Sequence, residues 1–486
     1  MDRERQKNMP LLQAMRMYAD SGVVGFHTPG HKQGKGIHSS LRDLVTPLGW
    51  KMEVSLMAEL DDLHEPTMCI KEAQDLAADL YGADASYFII NGTTGAIHAM
   101  VLAALRPGEK IIVPRNAHRS IIGGIMLSGA IPIFIQPEID AELGIAMGIA
   151  TETIAAAIEV HTDAKAVLII NPTYYGVASD LQAIATLVHN NNMLLLVDEA
   201  HGPHLKFNTS LPLQALDAGA DIVAQSTHKI IGSMTQSSML HVQYGRIHPE
   251  RVRTMVSLVQ STSPNYLLLG SLDAARMQMA ENGPTLIGHA VDLANWIRRE
   301  ITQIKGLYCF GTERMQHAGA YALDVTKITV TVRDLGISGA CAEHILRYTY
   351  KIQCELSDMY NVLFIISLGD SKVEARLLVN ALQQLAASQQ HDRQRFTQPM
   401  VLPAIPRQRL APREALFSDT FVQLFDKSEG CVAAEVITFY PPGIPVICPG
   451  EEITKEIIEY VRAMQKIGLK IVGPQDATLK MIKIIK

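Results

Sequence analysis

AVLIINPTYYGVASDLQAIATLVHNNNMLLLVDEAHG, residues 166–202, is the stretch whose reading decides the fold. Two short apolar runs, AVLII (166–170) and MLLLV (193–197), flank SDLQAIATLVHN (179–190), whose composition is helical. A strand apolar on both faces, a helical crossover and a second such strand make a βαβ unit of a parallel sheet. The rhythm continues outward from about residue 84 to 245. SYFII (86–90), KIIVP (110–114), IPIFI (131–135), DIVAQ (221–225) and SSMLHV (237–242) supply further strands, and TETIAAAIEV (151–160) another helix. The expected class is α/β, with a mostly parallel sheet.

Composition narrows the function classes. The 486 residues carry 43 Lys and Arg against 49 Asp and Glu, a formal charge of −6, and only 19% are charged. That balance offers no chain-wide basic footprint for nucleic acid or anionic lipid. With 48% hydrophobic residues the chain reads as ordered and globular. Six scattered cysteines (Cys69, Cys309, Cys341, Cys354, Cys431, Cys448) include no C-x-x-C pair and read as free thiols. The N-terminal MDRERQKNMPLLQAMRMYAD is charged, then amphipathic, without a signal-peptide core. No run approaches the ~20 apolar residues of a membrane span. A soluble cytoplasmic protein is expected.

After residue 245 the pattern changes. AYALDVTKITVTV (320–332) alternates like a half-exposed strand, helices are expected near 337–348 and 371–387, and VLFIIS (362–367) reads as a strand between them. Four prolines, at 399, 403, 406 and 412, make 389–412 an extended linker. Helices near 412–426 and 452–467 belong to a last unit. The expected organisation is a lead-in at 1–60, a large domain at 61–310, a smaller α+β domain at 311–388, the linker, and a C-terminal α+β domain at 413–486.

Ligands of open parallel sheets gather at the carboxyl ends of the strands. Those ends read NGTTG (91–95), PRNAHRS (114–120), NPTYYG (171–176), DEAHG (198–202) and STHK (226–229). Each is ordinary alone: Gly and Thr are turn residues, and an Asp after a strand is often a helix cap. Together they offer a hydroxyl-lined loop at a helix start (Thr93, Thr94), a carboxylate (Asp198) and a lysine (Lys229). A phosphorylated aldehyde cofactor needs that set: an anion cradle, an acid for a ring nitrogen and an amine for an imine. LLLVDEAHG also resembles the acidic strand end of a nucleotide hydrolase. The phosphate loop such an enzyme requires is missing, since GHKQGKGIH (30–38) has the wrong spacing. His27, His31 and His38 in FHTPGHKQGKGIH lack a partner at metal-ligand spacing, so no metal is expected.

STHKIIGSMTQSSMLH (226–241), VDEAHG (197–202), NGTTGAIH (91–98), TPGHK (28–32) and FYPPGIPVICPGEE (439–452) together resemble the prokaryotic ornithine/lysine/arginine decarboxylases. These are fold-type-I pyridoxal-phosphate enzymes. The resemblance runs from about residue 20 to the C-terminus. It points to the short form without an N-terminal receiver-like domain, most similar to the biosynthetic arginine decarboxylases that make agmatine for polyamine synthesis. It implies that Lys229 is the Schiff-base lysine and Asp198 the partner of the pyridinium nitrogen. Thr94 and the Gly95 amide, with Ser226 and His228, match the phosphate cradle, beside the Thr93 hydroxyl already read as cofactor-binding, and His118 matches the ring-stacking histidine. His201, the candidate for a contact to the ring oxygen, departs from the longer relatives, which often carry Trp at that place. His118 and His228 join Lys229 and Asp198 as catalytic candidates. Ser261 in QSTSPNY matches a hydroxyl given to the phosphate of the neighbouring subunit, which implies a homodimer with shared sites. Pyridoxal 5'-phosphate is the implied cofactor.

The expected reaction is decarboxylation of a basic amino acid, arginine first, with lysine or ornithine as alternatives. Another pyridoxal-phosphate reaction on the same scaffold and a non-catalytic binding paralogue are the competing readings. A guanidinium calls for a carboxylate facing its fork. Asp61, Asp62 and Glu65 in LDDLHEP, and Glu435, are the candidates.

Overall fold

The computed structural model describes residues 2–389, 403–440, 444–467 and 469–486. The seven apolar runs form one sheet. Its strands are β1 (Ala85–Ile89), β2 (Lys110–Pro114), β3 (Ile131–Ile135), β4 (Ala166–Ile170), β5 (Leu194–Asp198), β6 (Ile222–Gln225) and β7 (Ser238–Val242). Their order across the sheet is β1-β7-β6-β5-β4-β2-β3. β2 runs parallel to β3 and β4, whereas β7 runs antiparallel to both β1 and β6. β7 departs from the parallel pattern because no helical crossover precedes it. Between β6 and β7 lies only a short helix, Thr227–Ile230, and that connection suits an antiparallel neighbour. The strands are apolar runs because both faces are covered: Leu195, Leu196, Val197, Val223 and Ala224 are fully buried. Each large aliphatic side chain buried in this way contributes about 1.5–3 kcal/mol.

The chain divides into two units. The first comprises Met1–Ala103, Val197–Thr209 and Leu213–Ile287. In it, helix α1 (Cys69–Tyr81) leads into β1 and ends on Gly82, which takes the left-handed conformation (φ 79°) and donates its N–H to Ala78 O. Helix α2 (Gly92–Ala104) follows β1 directly. NGTTG, expected as a loop, is therefore already the first turn of a helix.

The second unit comprises Ala104–Leu196, Ser210–Pro212 and Gly288–Lys486. Beyond the sheet strands it holds a four-stranded antiparallel sheet, β8 (Tyr308–Cys309), β9 (Lys327–Thr331), β10 (Leu356–Ser357) and β11 (Asn361–Ile365), in the order β8-β9-β11-β10. Helices Gly339–Tyr348 and Lys372–Ser388 pack on it through Leu346, Leu378 and Leu382. The alternating stretch 320–332 is two strands, Ala322–Leu323 and β9, rather than one. A separate C-terminal core gathers Phe425, Ile437, Ile457, Val461 and Ile482. The helix expected at 412–426 stops at Phe417, and β12 (Thr420–Leu424) pairs antiparallel with the final strand, Met481–Ile485. That pairing partner lies about sixty residues away, and no local pattern announces it. Of the expected linker, residues 390–402 lie outside the described residues, as do 441–443 of the FYPPG motif. No described helix is long and apolar enough to cross a membrane. All six cysteines are free thiols.

Candidate active site

The first unit brings several expected residues together. Asp198 ends β5, is 4% exposed, and accepts the Ala200 N–H through Oδ1 at 3.1 Å. Burial lifts its carboxyl above the usual range, while the attraction of the Lys229 ammonium and the Ala200 N–H pull the other way. Lys229 lies in the short helix after β6, and its Nζ is 2.8 Å from Nε2 of the buried His201. The two strand ends thus place a lysine amine, an imidazole and a carboxylate in one buried neighbourhood.

A second group consists of hydroxyls. Thr93 Oγ1, in the first turn of α2, is 2.5 Å from Ser226 Oγ and 2.7 Å from Ser238 Oγ, all buried. Thr94, next to it, is exposed at the start of the same helix. The Gly95 N–H donates to Asn91 O at 3.3 Å, and a Cβ at Gly95 would meet Asn91 Cβ at 2.9 Å, so a larger residue does not fit there. Thr227 Oγ1 is buried and has no hydrogen-bond partner among the described residues. His228 Nδ1 lies 2.9 Å from Ser237 O, so the proton sits on Nδ1 and Nε2 faces elsewhere. Ser238 and Thr227 are the members that motif reading did not single out. Both belong to quoted motifs, but Thr227 opens a short helix and Ser238 opens a strand, and neither position carries a local signal that sets it apart.

The remaining expected residues make other contacts. Ser261 is exposed; its Oγ accepts from Ser263 N at 3.1 Å, and its carbonyl accepts from His64 Nε2 at 3.0 Å. His118 belongs to the second unit, where its Nδ1 caps the helix Arg119–Ser128 by accepting from Ser120 N. His31 pairs with Glu53 at 2.5 Å, His27 with the Tyr18 hydroxyl at 3.0 Å, and His38 caps a short helix. Lys32 Nζ donates to the His27 carbonyl.

Of the four carboxylates proposed to read a guanidinium, Asp61 is spent on structure. It is 6% exposed and accepts N–H groups of Asp62, Thr67, Met68, Ile70 and Lys71, clasping the start of α1. Asp62 accepts from His64 N, and Glu435 from Gln475 N and Lys483 N. Glu65 is the exposed member of the set.

Against this geometry, the sequence profile described as Orn/Lys/Arg decarboxylase, major domain, matches residues 9–374, and that of the C-terminal domain of the same family matches 390–476. An arginine decarboxylase of Halalkalibacterium halodurans is 46% identical over 483 residues, covering 99% of this chain and 98% of the relative. One from Bacillus subtilis is 45% identical over 484 residues, with the same coverage. The crystal structure of a Francisella novicida lysine decarboxylase aligns with a TM-score of 0.85 at 24% identity, over 98% of this chain and 81% of that one, and so shares the fold. A profile covering most of the length, and relatives this similar from end to end, place the chain in the Orn/Lys/Arg decarboxylase family.

Proposed function

We propose that this protein is a pyridoxal-phosphate-dependent arginine decarboxylase, converting L-arginine to agmatine and CO2. The cofactor chemistry is carried by the buried neighbourhood of Lys229, His201 and Asp198 beside the Thr93–Ser226–Ser238 hydroxyl group, and arginine as substrate is supported by the end-to-end similarity to relatives named arginine decarboxylase. These residues fit the cofactor chemically. A carboxylate buried like Asp198 is costly unless a cation faces it, and a protonated ring nitrogen is such a cation. The first turn of α2, with its N–H groups and the Thr93 and Thr94 hydroxyls, suits a phosphate dianion.

Bound pyridoxal phosphate supplies a sink for the electron pair left at Cα when CO2 departs. The protein's residues do the rest. Lys229 Nζ would hold the cofactor through its aldehyde carbon and would be the group placed to carry a proton to Cα. Asp198 holds the ring nitrogen in its protonated form, the state in which the sink works. His201 Nε2 orients Lys229 Nζ. The phosphate cradle would draw on Thr93, Thr94, Ser226 and His228, with the Gly95 N–H, which the helix gives to Asn91 O, at its edge. By the family resemblance, His118 would be the ring-stacking residue, and Ser261 would serve the partner's phosphate in a homodimer.

The test is a substrate panel. Purified protein supplied with pyridoxal phosphate is offered arginine, lysine and ornithine, and CO2 and amine are quantified. Agmatine with equimolar CO2 is expected. Cadaverine or putrescine as the main product would move the substrate, and a keto acid without CO2 would overturn the decarboxylase reading.

A further inference from the structure

On the face of the sheet opposite Asp198 and Ser226 lies a chain of buried polar side chains for which the reaction gives no role. Glu199 follows Asp198, and Gln225 precedes Ser226. Successive residues of extended chain point to opposite faces, so both project to the rear. The backbone joins the two segments through Glu199 N–H to Ala224 O at 2.9 Å. Glu199 is fully buried. Its Oε1 accepts the Ala215 N–H at 2.7 Å, and its Oε2 is 2.7 Å from the Gln225 side-chain amide. The other end of that amide is 3.1 Å from His241 Nε2 on β7, and His241 Nδ1 is 2.6 Å from Ser86 Oγ on β1. Tyr81 covers the imidazole with ring centroids 4.5 Å apart. The chain therefore crosses β5, β6, β7 and β1, the strands whose ends carry Asp198, Ser226, Ser238 and Thr93.

A buried polar chain of this length is expensive unless every link is made, and once made it fixes geometry tightly. Burial lifts the Glu199 carboxyl to about 8 and drops the His241 imidazole to about 3. At neutral pH the links then act through hydrogen-bond length and direction rather than ion pairing. Apolar side chains of similar volume would fill this space at no polar cost, so packing alone does not call for these four residues.

Resting on the pyridoxal-phosphate reading above, we propose that Glu199 and Gln225 are positioning residues: their link, braced by His241 and Ser86, sets the separation between the Asp198 carboxylate and the Ser226 hydroxyl. A cofactor gripped at both its ring nitrogen and its phosphate reads that separation directly. Substrate recognition, which uses other groups, does not.

The experiment compares wild type with Gln225→Met, which fills the same space without either link, and with Gln225→Asn, which is one methylene too short to span both. Glu199→Leu and Glu199→Gln form the second pair. Pyridoxal-phosphate dissociation constants by absorbance titration, melting of the cofactor-free protein, and kcat and KM for arginine are measured on each. Gln225→Met, Gln225→Asn and Glu199→Leu should weaken cofactor binding at least tenfold and lower kcat, with KM moving less than threefold. Glu199→Gln should recover most of the affinity lost in Glu199→Leu. Variants that melt earlier yet bind the cofactor like wild type would show a purely structural chain and overturn the proposal. Loss of affinity in Glu199→Gln equal to that in Glu199→Leu would overturn it too. Wild-type protein that fails to bind pyridoxal phosphate would instead overturn the functional reading beneath it.

Discussion

Replacing Glu451 with Ala tests what the PGEE end of the FYPPGIPVICPGEE motif does physically. Glu451 is fully buried and Arg115 is 3% exposed. The two form a forked pair, Nη1 to Oε1 at 2.5 Å and Nη2 to Oε2 at 2.7 Å. Arg115 also donates from Nε to Pro445 O and from Nη2 to Val446 O, and its guanidinium lies 4.7 Å from the Phe134 ring centroid. Glu451 further accepts the Cys448 N–H at 2.7 Å. Glu451→Ala leaves a guanidinium in the core with carbonyls but no counter-ion. Breaking such a pair by removing one partner costs about 3–5 kcal/mol, and Arg115→Met should cost about the same. In the double variant Arg115→Met/Glu451→Leu no charge is stranded. What remains is the loss of donors to Pro445 O and Val446 O and of an acceptor for Cys448 N–H, about 1 kcal/mol each. The double variant should therefore cost about 3 kcal/mol, far less than the sum of the singles. Native-state hydrogen exchange of the 444–453 amides is the assay, because it reads local opening without assuming one global transition. A loss of about 4 kcal/mol speeds exchange roughly a thousandfold, at ~1.4 kcal/mol per tenfold. Single variants within 1 kcal/mol of wild type, or strictly additive effects, would refute a desolvated, interdependent pair.

Lys229→Ala should abolish turnover and the visible absorbance of bound cofactor together; a borohydride-reducible adduct recovered on Lys32 instead would displace the assignment. Asp198→Asn keeps an acceptor for the Ala200 N–H, so melting should stay near wild type while kcat falls about a thousandfold, or ~4 kcal/mol. Near-normal kcat would reduce Asp198 to a cap. For Asp61, burial raises the carboxyl, but the N–H donors of Thr67, Met68, Asp62 and Lys71 outweigh it and hold it below its usual value. A depressed folded pKa gives stability that is present above the unfolded value of ~4 and lost as pH falls through the folded one. Denaturant unfolding from pH 7 to 3 should show Asp61→Asn losing less stability on acidification than wild type, and parallel curves would contradict this. Mixing a Lys229→Ala chain with a Ser261→Glu chain should restore activity if two chains share their sites; no recovery despite proven subunit exchange would remove Ser261 from the partner's site.

The seven sheet strands were legible because burial on both faces leaves an uninterrupted apolar run, and all seven lie within a residue of where those runs stand. The helices Gly339–Tyr348 and Lys372–Ser388 were legible through ordinary 3.6-residue periodicity. Helix Tyr266–Thr302 escaped notice because its apolar stripe carries no motif and Pro284 sits inside it, where a proline normally argues for an end. The stretch after Phe417 was misread because TFVQL becomes a strand only against Met481–Ile485. In the site, Lys229 and Asp198 were legible as members of a set, an amine and a carboxylate at strand ends together with a hydroxyl-lined helix start. Ser238 was not, since a serine opening a strand has no local signature.

The sequence by itself determined the class of fold, the strand positions and the family, because apolar periodicity and motif order are properties of neighbours along the chain. Only the tertiary structure decided which strand lies beside which. A period of two says which face a side chain takes, never whose side chain it meets there. Thr93 finds Ser226 and Ser238, 133 and 145 residues away, because β1, β7 and β6 are adjacent in an order no linear pattern encodes. The same adjacency closes the rear chain from Glu199 to Ser86. Asp61 leaves the substrate candidates for a different reason: the backbone N–H groups of Thr67, Met68 and Ile70 at the start of α1 hold its carboxylate.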